Sequence, residues 1–179
     1  MQKVSGNIKD TERIAKAFLS NLLKIKNKEA TVVGLSGDLG VGKTAFTQMI
    51  AKLLGIKERV NSPTFVIMKK YVLPLPRGSA QRARGSKTNT PPNPPLRRGG
   101  ANFKYLFHLD AYRLKNHKEL LILGWEEIIK DKNNLVFIEW PENVVKAMPK
   151  NHTKISISHL PTGKAGTKDG HRSFKIKGL

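Results

Sequence analysis

Cysteine is absent from the 179 residues, which excludes disulfide bridges and thiolate metal sites. Acidic side chains are scarce: 13 Asp and Glu stand against 33 Lys and Arg, a formal net charge of +20. That excess implies either an anionic partner such as nucleic acid or lysine-rich faces that are simply solvated. Aromatic residues make up only 7% of the chain. They are not interleaved with the basic residues as a base-stacking surface requires, which argues against direct readout of an RNA sequence. No apolar run approaches membrane-spanning length, and the N-terminal stretch around Lys3, Lys9 and Asp10 lacks the apolar segment of a secretory signal. A soluble, cytoplasmic protein with no membrane contact is the expectation. The length suits one domain with a sizeable core.

What is present is concentrated in one octapeptide. Gly37-Asp38-Leu39-Gly40-Val41-Gly42-Lys43-Thr44 has the form G-x-x-x-x-G-K-T. Glycines let the backbone turn tightly, so that successive N–H groups point at phosphate oxygens. Lys43 would reach the β- and γ-phosphates, and the Thr44 hydroxyl would hold Mg²⁺. An ordinary glycine-rich turn would also fit eight residues, but the flanks decide against it. Residues 30–35 are apolar and β-branched, a buried strand, and residues 45–54 carry apolar residues at helical spacing before Gly55. Strand, loop, helix is the order an anion site needs, because the helix N-terminus adds its own positive end.

The remaining pattern predicts an α/β sandwich with a mixed sheet. Asp10-Thr11-Glu12 reads as the cap of a helix reaching about Leu23, with Ile14, Ala17, Phe18 and Leu22 on one face. Residues 66–73 and 103–108 read as strands, 118–123 and 125–129 as helical, 135–138 as a buried strand and 143–148 as a short helix. Residues 154–158 and 173–177 alternate polar and apolar and pair as an antiparallel hairpin. Between them and the first half, residues 74–102 change character. Six of the ten prolines lie in 74–95, and 74–104 holds seven basic residues and no acidic one. This stretch reads as a disordered basic insertion in a single domain spanning 1–179.

A phosphate-binding loop needs an acidic partner near its metal, commonly at the C-terminal tip of a buried strand. Glu139 follows 135–138 and fits, although aspartate is more usual there; an unpaired carboxylate at such a buried tip would otherwise be costly. Asp110, just past the strand 103–108, is a second candidate, and its alternative role is to cap the next turn. Thr64, after Ser62-Pro63, sits where a switch-loop hydroxyl would sense a γ-phosphate.

Taken in series, the loop Gly37–Thr44, Ser62-Pro63-Thr64-Phe65, His108-Leu109-Asp110-Ala111-Tyr112-Arg113 and Glu139-Trp140-Pro141-Glu142 resemble the TsaE (YjeE) family over nearly the whole chain. The resemblance implies a P-loop NTPase-like three-layer sandwich with a mixed, mainly parallel sheet and a C-terminal antiparallel hairpin. It implies slow Mg²⁺-dependent ATP hydrolysis, with ATP and ADP as ligands. It also implies association with TsaD-like and TsaB-like proteins, which place a threonylcarbamoyl group on the adenosine beside the tRNA anticodon, so that tRNA is met indirectly. Carried over by motif, Gly37, Asp38, Leu39, Gly40, Val41, Gly42, Lys43, Thr44 and Ala45 bind the nucleotide. Thr44 and Glu139 hold the metal, Asp110 supports metal or water, Thr64 lies near the γ-phosphate, and Trp140 lies near the nucleotide or is a plain core aromatic. Two departures stand out: the 74–102 insertion replaces a short connection, and Ala45 stands where the family often has a second hydroxyl.

Two other readings compete. A small-molecule P-loop kinase suits the loop, and Asp110-Ala111-Tyr112-Arg113 mimics an acceptor-binding D-x-x-R, but no ordered arginine-rich lid is visible. An RNA-binding module rests on charge alone.

Overall fold

The computed structural model of the chain describes residues 1–58, 60, 63, 66–74, 103–161 and 170–178. Thr64 and nearly all of the 74–102 insertion lie outside the described residues. In chain order the elements are β1 (Gln2–Ser5), α1 (Ile8–Leu22), β2 (Thr31–Ser36), α2 (Lys43–Leu53), β3 (Met68–Val72), β4 (Tyr105–Asp110), α3 (His117–Ile122), α4 (Trp125–Lys130), β5 (Asn134–Glu139), a 3-10 helix (Pro141–Ala147), β6 (Thr153–His159) and β7 (Arg172–Lys177). One seven-stranded sheet orders its strands β1-β7-β6-β2-β5-β4-β3. The four inner strands β6, β2, β5 and β4 run parallel. The flanking pairs β1–β7, β7–β6 and β4–β3 are antiparallel.

The sequence explains which strands go inside. All of β5, and β2 up to Leu35, is buried. Parallel strands covered by helices on both faces read as unbroken apolar runs. β6 instead alternates, burying Thr153, Ile155 and Ile157 while the residues between them meet solvent. Alternation within the buried strands builds two cores. Val33, Leu35, Leu135 and Phe137 pack with Phe18 and Leu22 of α1 and Phe46 and Ile50 of α2. Val32, Val136 and Ile138 pack on the other face with Leu120, Trp125, Ile128 and Val144. Three layers follow, as expected for an α/β fold.

The first core is centred on aromatics. Phe18 meets Phe46 and Phe137 edge-on at 5.8 and 6.3 Å between ring centroids. Phe18→Ala is therefore expected to lower stability by about 3–5 kcal/mol. A denaturant midpoint unchanged from the parent would contradict this packing.

Several boundaries differ from expectation: β4 runs Tyr105–Asp110 and not 103–108, so Asp110 ends the strand instead of following it, and the 3-10 helix spans Pro141–Ala147 and not 143–148. α1 starts at Ile8, not at Asp10, because Asn7 is the cap: its side chain accepts from the Asp10 N–H at 3.0 Å, while Asp10 Oδ2 accepts from the Gly6 N–H at 3.1 Å. β3 starts at Met68 because Val66 and Ile67 are turned, both donating to the Pro63 carbonyl, with Ile67 at φ 62°. β1 has no sequence signal of its own; it forms by pairing with β7 at the far end of the chain. For the site, what matters is that β2 delivers the chain into the glycine loop between its parallel neighbours β5 and β6. That crevice at strand carboxyl ends is where open α/β sheets bind ligands.

Candidate functional site

The loop from Gly37 to Gly42 joins β2 to α2, and its glycines have physical reasons. A Cβ on Gly37 would lie 2.1 Å from the Ile157 carbonyl oxygen of β6, so no side chain fits there. Gly42 caps α2 at φ 108°, a backbone that L side chains rarely adopt. Lys43 is the first residue of α2 and is buried. Its Nζ turns back and donates to the Gly37 and Asp38 carbonyls at 2.6 and 2.9 Å. It also lies 3.8 Å from the centroid of the Trp140 ring. Burial pushes the Lys43 ammonium below the usual lysine range, and Glu139, Glu142, Asp110 and Asp38 oppose that shift.

Thr44 faces the other way. Its hydroxyl is 2.8 and 3.1 Å from the two carboxylate oxygens of Glu139, to which it donates. Glu139 ends β5, as its place after 135–138 predicts, and is almost wholly buried. Parallel register with β4 places Asp110 directly beside it. Asp110 Oδ1 accepts from the Tyr112 N–H at 2.9 Å, so the turn-capping role is present as well as the placement beside Glu139. Ile67, the last residue of the turn after Pro63, accepts from the Asp110 N–H at 2.9 Å. The chain carrying Thr64 therefore re-enters the described structure next to Asp110.

Sequence reasoning gave no role to His108. It is fully buried on β4, and its Nε2 lies 2.8 Å from Glu139 Oε1. A carboxylate only accepts, so Nε2 carries the proton. Glu139 is thus held between a buried imidazole and the Thr44 hydroxyl, which fixes the direction of its oxygens. The available signal was a histidine in an otherwise apolar strand, since a buried polar group demands a partner.

Trp140 is placed by strain. It sits at φ 58° and ψ 48°, uncommon for a residue other than glycine. Its N–H bonds the Leu35 carbonyl at 3.1 Å, tying the end of β5 to β2. The bend carries its indole over Lys43 and against Tyr112, at 5.1 Å between centroids. Beyond it, Glu142 accepts from Ser36 Oγ at 3.0 Å. The structure thus gathers Lys43, Thr44, Asp110, Glu139 and Trp140 around one loop, while Leu39 stands exposed at its tip.

The family model described as "Threonylcarbamoyl adenosine biosynthesis protein TsaE" matches residues 5–78 and 97–166. The chain belongs to the TsaE family. The unmatched interval between those two spans falls inside the proline- and arginine-rich stretch. Relatives named "tRNA threonylcarbamoyladenosine biosynthesis protein TsaE" include one from Rickettsia bellii, 30% identical over 91% of this chain and 90% of its own length. Another, from Bacillus subtilis, is 31% identical over 84% of this chain and 73% of its own. The crystal structure of Bacillus subtilis YdiB superposes with a TM-score of 0.61 at 23% identity, covering 98% of this chain and 83% of that one. At that identity the superposition speaks for the fold. TsaE membership puts the chain in tRNA threonylcarbamoyladenosine biosynthesis, and the glycine loop suggests nucleotide binding. No helix among the described residues is long and apolar enough to cross a membrane.

Proposed function

We propose that the chain is a Mg²⁺-dependent ATPase whose nucleotide state governs its association with a TsaD–TsaB-like pair, reaching tRNA only through that complex. The observation that supports this reading best is the contact between the Thr44 hydroxyl and the Glu139 carboxylate, one residue past a lysine folded into a phosphate-type loop.

The donor set fits the metal. Mg²⁺ prefers hard oxygen ligands and is commonly bound by one or two carboxylates with nucleotide phosphates and water completing the shell. Thr44 and Glu139 are such oxygens, and among the described residues there is no group of three or more His, Cys, Asp and Glu that would hold a metal without a nucleotide. Bound there, Mg²⁺ would neutralise charge developing on the γ-phosphate. The chain's own residues do the rest. Lys43 exchanges the Gly37 and Asp38 carbonyls for phosphate oxygens, a charge-assisted contact. His108 keeps Glu139 from rotating. Asp110 orients water or a metal-bound ligand from the adjacent strand end, and Thr64 senses the γ-phosphate. Trp140 shields Lys43 from solvent.

Phosphate release from ATP tests the enzymatic part. Slow release that needs Mg²⁺ and rises when the partner pair is added is the expected result. Transfer of the γ-phosphate to a metabolite instead of water would support a small-molecule kinase and contradict this proposal.

A further inference from the structure

The glycine loop has two flanks, and the proposed ATPase chemistry draws on one. On the β5 side lie Glu139 and Asp110. On the β6 side, β7 runs antiparallel to β6, with Arg172 paired to His159. Arg172 therefore opens β7 on the same rim of the sheet as the loop, across it from Glu139. Its side chain reaches the loop: Nε and Cδ lie 3.6 and 3.9 Å from where a Cβ on Gly42 would stand. Gly42 immediately precedes Lys43.

The Arg172 Nε is buried and has no hydrogen-bond partner among the described residues. One terminal guanidinium nitrogen makes a long 3.4 Å contact to the Gly170 carbonyl. No carboxylate among the described residues pairs with it. The side chain as a whole is half-buried and its terminal nitrogens reach solvent, but the Nε–H is a buried donor left without an acceptor, which costs free energy. An anion at the loop would remove that cost, and the guanidinium fork matches phosphate geometry. The family model's match ends at residue 166, short of this position.

We propose that Arg172 is a second phosphate-contacting residue of this site, holding the β-phosphate of the bound nucleotide from the face opposite Glu139. The inference rests on the nucleotide-binding reading above. Its place beside Gly42 sets it next to Lys43, which serves the β- and γ-phosphates in such loops, and of these the β-phosphate is the one that ADP also carries. The site then divides its labour. The acidic flank handles the metal and the γ-phosphate, while the basic flank anchors the part of the nucleotide that remains after hydrolysis.

The test is calorimetric titration of the full chain with ADP, with AMP affinity measured by displacement of ADP. Arg172→Met keeps an unbranched stem against Gly42 and removes the donors; Arg172→Gln serves if the methionine variant does not fold. Either variant should bind ADP about tenfold more weakly, about 1.4 kcal/mol, with AMP affinity within about twofold of the parent and an unchanged melting temperature without ligand. Equal loss for ADP and AMP would mean that Arg172 only shapes the loop, and would overturn the proposal. Parental ADP affinity in the variant would overturn it too, leaving the nucleotide-binding reading intact. A parent chain that binds no ADP would overturn both.

Discussion

Lys43→Ala is expected to abolish measurable ATP and ADP binding while leaving the fold intact. The Nζ is held inside the loop by two backbone carbonyls and covered by the Trp140 ring. It is already confined to the loop, so exchanging its two carbonyl partners for phosphate oxygens costs little further side-chain ordering. Charge-assisted hydrogen bonds contribute about 1.5–3 kcal/mol each. Losing two of them weakens binding by about a hundredfold or more. The fold does not depend on the ammonium, because Gly37 and Asp38, whose carbonyls the substitution frees, are not buried and can be solvated. Calorimetry on the folded variant makes the check; ATP affinity equal to the parent's would remove the loop from nucleotide binding.

Glu139→Gln is expected to lower Mg²⁺-dependent phosphate release by about a hundredfold, the scale seen when one electrostatic group is removed from a preorganised site. Mg²⁺-free ADP binding should stay within about twofold of the parent. Glutamine keeps the volume and an acceptor for Thr44 and His108, which lie at 2.8 Å from the native carboxylate. The charge is lost and one acceptor oxygen becomes an NH2 donor, so the change bears chiefly on the role proposed for the carboxylate toward Mg²⁺. The same substitution to alanine would leave the His108 Nε2 buried without a partner and mix a stability loss into the rate. Equal release rates for Glu139→Gln and parent would take Glu139 out of the reaction.

The two substitutions probe features that differ in how far the sequence reveals them. The phosphate loop is legible because it is contiguous: strand, glycines, lysine and helix lie within about two dozen residues, and each is set by local backbone chemistry. Glu139 is legible for a similar reason, as the polar end of an apolar strand. The bond from His108 to Glu139 is not, because it depends on β4 and β5 pairing in parallel with His108 opposite Phe137 and Asp110 opposite Glu139. Trp140 announces an aromatic near the loop, but not the left-handed backbone that turns its ring over Lys43. Arg172 is one arginine among many until β7 pairs with β6 and brings it to Gly42. The edge strand β1 and the turn at Val66–Ile67 are hidden in the sequence for the same cause. Both depend on tertiary hydrogen bonds that outweigh local preference.

The affinity of the chain for a TsaD–TsaB-like pair measures directly whether the loop acts as the proposed nucleotide switch. With nucleotide varied among Mg²⁺–ATP, Mg²⁺–ADP and none, affinity should differ by about tenfold or more between states. That requires only about 1.4 kcal/mol of coupling. Thr64→Ala should flatten the difference while ADP affinity stays near parental. The same affinity in all three nucleotide states would contradict the claim.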